Sequence, residues 1–127
     1  MVSAVALLSG CNAPTPPRTE VYSVTYKVIG CGCTSAMLDS GQYFFGNEVA
    51  DISYANGKGG TDSGVNKLPF SATVEISPGD AAFVTAGLRY PDNGTIRVSI
   101  IVPGLELRKA ESTGPHASAS AQGLLPR

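Results

Sequence analysis

Cys31-Gly32-Cys33 is the densest chemistry in the chain. Two thiols one residue apart could bind a soft metal or cycle between dithiol and disulfide. A structural zinc site usually takes four ligands. The chain has no second Cys pair, and His116 is its only histidine. Cys31 and Cys33 are therefore weak metal candidates, no cofactor is expected, and an intermolecular disulfide is a further option. A bridge within the pair would need Gly32 to bend sharply, because bridged Cα atoms usually lie about 4.4–6.8 Å apart. The plainer expectation is two thiols in a turn at a strand end. Catalysis by His116 would need a nucleophile or carboxylate beside it; a surface place on the last strand is expected instead. Asp51, Asp62, Asp80 and Asp92 are scattered. The run around Asp62 lacks the alternating oxygen ligands of a calcium loop, and Gly57-Lys58-Gly59-Gly60 lacks the spacing of a phosphate loop. No catalytic residue is assigned, and the expectation is a protein that is not an enzyme. Tyr43-Phe44-Phe45 is the binding candidate. Three consecutive aromatics cannot all face one core from a strand, so one points outward or the segment is a packed loop. Exposed aromatics would mark a contact site.

Leu8-Ser9-Gly10-Cys11 follows the apolar run Val5-Ala6-Leu7-Leu8. A small residue before a Cys at the end of an apolar segment resembles the bacterial lipobox. That resemblance implies cleavage just before Cys11 and a diacylglycerol on its thiol. Residues 1–10 hold no Lys or Arg and are short for a secretory signal, so they are expected to be a truncated signal segment. They are also far shorter than the ~20 apolar residues that span a bilayer as a helix. The stretch 11–19 holds Pro14, Pro16 and Pro17. Proline stiffens a chain toward polyproline II, and this segment reads as a tether.

The elements behind the tether alternate with period two. Tyr22, Val24, Tyr26 and Val28 share a face, and so do Ala50, Ile52 and Tyr54. Such patterns in β-branched and aromatic residues read as half-buried strands. Further strands are expected over 68–77 (Ala72, Val74 and Ile76 inward), 82–90 (Ala82 to Tyr90, even positions inward), 95–102 (Ile96, Val98, Ile100 and Val102 inward) and 105–109. A last strand over 116–121 would turn Ala117, Ala119 and Ala121 inward. The segment 35–47 reads as a hairpin or packed loop, the glycine-rich 56–66 as a turn or long loop, and 112–114 as a turn. The chain has 127 residues, 15 Gly, 9 Pro and no Trp. One domain is expected, over 20–122, with 123–127 as a frayed tail. Seven strands without a helix point to an all-β fold, an antiparallel β-sandwich of immunoglobulin-like size. Nine Lys/Arg against ten Asp/Glu give a net charge of −1, with no basic patch for nucleic acid.

Val24-Thr25-Tyr26-Lys27-Val28, Ala50-Asp51-Ile52-Ser53-Tyr54 and Leu68-Pro69-Phe70-Ser71-Ala72-Thr73-Val74 resemble strands of small bacterial envelope proteins with one β-sandwich. They resemble the mycobacterial small membrane proteins that accompany lipid and siderophore exporters, and similar small lipoproteins of Bacteroidetes-type bacteria. Val98 to Gly104 fits that family's penultimate hairpin and Glu111 to Gly114 its last turn. The chain differs in the stretch 31–45, in lacking paired late cysteines and in its lipobox anchor. The resemblance implies a non-enzymatic accessory or binding module in the bacterial cell envelope. Its expected contacts are a membrane, through the lipid, and an envelope protein, on the periplasmic side or at the cell surface. The alternatives are a redox or metal module on Cys31 and Cys33, or a domain binding surface carbohydrate or protein.

Overall fold

Alternation in the sequence becomes two facing sheets. The computed structural model describes residues 21–41, 46–103 and 105–127; Cys11, Tyr43, Phe44 and Phe45 lie outside them. The strands are β1 (Tyr22–Cys31), β2 (Val49–Ala55), β3 (Thr61–Lys67), β4 (Phe70–Ile76), β5 (Ala81–Tyr90), β6 (Asn93–Val102), β7 (Leu105–Pro115) and β8 (Ser118–Leu124), with one helix, α1 (Ser35–Ser40). One sheet has the order β4-β1-β6-β7 and the other β3-β2-β5-β8. Every pairing is antiparallel. The protein is an all-β sandwich.

The inward faces follow the apolar residues. Val24, Tyr26 and Val28 of β1 and Ile96, Val98 and Ile100 of β6 are fully buried against Ala50, Ile52, Val84, Ala86 and Ala119 of the other sheet. Each large aliphatic side chain removed from water in this way contributes about 1.5–3 kcal/mol. Tyr26 ties the two layers together: its hydroxyl donates to the Ala55 carbonyl at 2.8 Å, and burial pushes its pKa up to about 12. A run of rings extends from it, with Tyr26 and Tyr54 centroids 5.1 Å apart and Tyr54 and Phe70 5.9 Å apart.

Several expectations are corrected. Among the described residues there are eight strands rather than seven, because 61–67 is β3 and not part of a loop. The segment after Cys33 is not a hairpin; it opens with α1. Tyr90 has the parity of the core, yet it sits at the end of β5 next to a register shift opposite Val49 and is 55% exposed. Ser112-Thr113-Gly114 stays in β7, paired with Ile96, Thr95 and Gly94, so the turn falls later. His116 lies in that turn, exposed and at φ 49, rather than on the last strand. The segment from Gln122 is not frayed: β8 continues to Leu124, and Leu125 is buried with its N–H on the Asp80 carbonyl.

Strand direction divides the loops between two ends. β1 runs from Tyr22 to Cys31 over ten residues, about 30 Å at 3.2–3.4 Å per residue. The far end carries Cys31–Cys33, α1, Pro69, Pro91 and His116. The near end carries Val21, the β2–β3 loop, the β4–β5 turn and Leu125.

Candidate functional site

The far end is built on a close approach of β1 and β6. A Cβ on Gly94 would collide with the Cys31 carbonyl oxygen, so only glycine lets the strands meet there. Thr95 follows, fully buried, and its hydroxyl donates to the Cys33 carbonyl at 2.8 Å. Thr95 Oγ1 also lies 2.9 Å from Thr113 Oγ1. A hydroxyl carries one proton, so Thr113 is the donor in that pair. These bonds turn the chain after Cys31, and Cys31 and Cys33 are joined as a disulfide with Cα atoms 5.0 Å apart. Cys31 is buried and Cys33 half-buried. With both sulfurs bonded, neither is a free thiolate for a metal. Among the described residues no group of three or more His, Cys, Asp or Glu is arranged to hold a metal ion.

α1 begins at once. Thr34 is its N-cap at φ −83°, ψ 162°, accepting from the Met37 N–H at 3.2 Å. Gly41 closes it in the left-handed conformation at φ 67°. Leu38 is the one buried side chain of the helix. The rest is fixed by charge. Arg97, on the outer face of β6, bonds Asp39 of α1 and Glu111 of β7. Ser35 Oγ donates to the other Glu111 oxygen at 2.5 Å. Those bonds, from Ser35 first and then Arg97, hold the Glu111 carboxyl below its ordinary pKa. The group is a clamp that seats α1 on the sheet. Arg97, Glu111, Asp39 and Ser35 lie too far apart in the chain for sequence spacing to join them. The one local sign was the Thr34–Gly41 bracket of a short helix.

The near end holds a groove of about 660 Å³, open to solvent, lined by Val21, Ser23, Asn56, Lys58, Asp62 and Glu75 among others. Asn56 organises it. Its Oδ1 accepts from the Lys58 N–H at 2.8 Å and the Gly60 N–H at 3.3 Å, and its Nδ2 donates to Asp62 at 3.1 Å. Burial, then the Asp62 charge, raises the Tyr54 pKa. The candidate residues are thus not gathered in one place. Cys31, Cys33 and His116 share the far end and Asp62 the near end, while Arg89–Asp51 is an exposed surface pair at 2.9 Å. No family model matches the chain, and no curated protein matches it.

Proposed function

We propose that the chain is a lipid-anchored, non-enzymatic β-sandwich of the bacterial cell envelope that binds or supports another envelope component. The observation that carries this reading is the order Leu8-Ser9-Gly10-Cys11, a Pro-rich stretch, and then β1 starting at Tyr22. Two acyl chains at ~0.8 kcal/mol per buried CH₂ give stable anchoring. The direction of β1 supports a division of labour: the near end faces the membrane and the far end, stiffened by the Cys31–Cys33 bridge and the Arg97 clamp, is offered to a partner. The resemblance to the small membrane proteins of mycobacterial exporters suggests an export system as the setting. Replacing the anchor residue tests the reading. Cys11→Ser is expected to move the protein from the membrane fraction to the soluble fraction, and to abolish crosslinks to an envelope neighbour that the unaltered chain forms. A Cys11→Ser chain that stays with the membrane contradicts it.

A further inference from the structure

The two open edges of the sandwich are not alike. On one side β7 and β8 close on each other: Arg108 Nε donates to the Gln122 carbonyl at 3.1 Å, and Leu107 packs on Gly123. On the other side lie β3 and β4, with the β2–β3 loop seated on the Glu75 carbonyl of β4 through Gly57. That leaves β3. Six of its seven residues are exposed, Val65 by 54%.

The ladder fixes which backbone groups β3 leaves unpaired among the described residues. Asn56 N–H bonds the Gly60 carbonyl at one end of the β2–β3 pair and Leu68 N–H bonds the Glu48 carbonyl at the other. Hydrogen-bonded pairs alternate along an antiparallel ladder, so even-numbered β3 residues face β2. Thr61, Ser63, Val65 and Lys67 then point their N–H and C=O outward. Proline, a bulge or a run of lysines commonly blunts such an edge; β3 has no proline, no register shift against β2 and one lysine. Its inward charge, Asp62, already accepts from Asn56.

We propose that β3 pairs with β3 of a second copy, antiparallel about a two-fold axis at Gly64, joining two four-stranded sheets into one. An axis normal to the sheet requires paired residue numbers of equal parity, and the centre at Gly64 uses every outward group. Thr61 meets Lys67 of the other copy, and Ser63 meets Val65. Asp62 meets Asn66, an acceptor opposite a donor, and no like charges face each other. Gly64 meets itself in a non-hydrogen-bonded pair, where Cα atoms approach to about 4.5 Å. A two-fold contact of this kind is self-complementary and closes. The Pro-rich tether is a poor alternative occupant, since Pro14, Pro16 and Pro17 have no N–H to donate.

The test uses the full chain with Cys11→Ser, so that no other free thiol interferes. Light scattering over a concentration series is expected to show monomer giving way to dimer. Val65→Pro removes an outward N–H without touching the ladder to β2, and should raise the dimer dissociation constant at least tenfold while the urea midpoint of the monomer holds. A Cβ at position 64 meets no atom closer than 3.9 Å, so Gly64→Cys should fold and form an intermolecular disulfide at the axis. Ser63→Cys, which does not meet itself, should crosslink far less. A chain that stays monomeric up to about 1 mM, the weak end of specific association, overturns the proposal. So does a dimer that ignores Val65→Pro and gives no crosslink at position 64.

Discussion

Arg97 and Glu111 face each other on the outside of the β6–β7 pair, where a sequence pattern reads only polar residues turned to water. Their side chains are 16% and 30% exposed, low for charges on a sheet surface, because α1 lies over them. Glu111 is held below its ordinary value of 4.5. A depressed carboxylate adds stability that is fully present above the unfolded pKa and is lost as pH falls through the folded one. The wild-type urea midpoint should therefore drop as pH is lowered below 4.5. Arg97→Ala should cost about 1–3 kcal/mol at neutral pH, as charge-assisted bonds to a partly buried carboxylate do. It should also shrink the acid-limb change, with the urea slope unaltered. An acid limb of unchanged size in Arg97→Ala would mean that the clamp does not hold Glu111. The cysteines are the contrasting residue-scale case. Their spacing was legible as a pair, but the turn that holds them is bonded by Thr95, 62 residues further along from Cys33, whose hydroxyl donates to the Cys33 carbonyl. No local reading could supply that contact.

Legibility followed apolar alternation at the level of elements. β1, β5 and β6 bury every second residue over most of their length against the opposite sheet, β2 and β4 bury or half-bury it, and the period-two signal is that burial seen along the chain. β3 was lost because its inward positions are Asp62, Gly64 and Asn66, none of them apolar. It is a strand by its hydrogen bonds to β2, at an edge that overhangs the core. α1 was lost for another reason: six residues are under two turns, too few for a 3.6 period to appear. Its stability comes from the caps, Leu38 and the Arg97 clamp. Thr34→Ala should cost about 1 kcal/mol within that helix. The Leu38 amide, bonded to the Thr34 carbonyl at 3.0 Å, should exchange several-fold faster while the global midpoint moves little. Unchanged exchange at Leu38 would show that the cap does not hold the helix.

At the scale of the whole molecule, the sandwich has two differently made ends. The all-β fold followed from turn spacing and one-sided strands. The two ends did not, because they depend on which loops gather at which pole, a property of strand direction and pairing rather than of any one segment. β1 begins at Tyr22 and the bridged, clamped loops lie about 30 Å away by strand length, the separation on which the proposed tethered reading rests. The most direct measurement of that account is the mass of the N-terminal peptide of the protein taken from cell membranes. The expected first residue is Cys11 carrying a diacylglycerol, with no peptide spanning Ser9 to Asn12. An unmodified Cys11 inside a continuous peptide would contradict it.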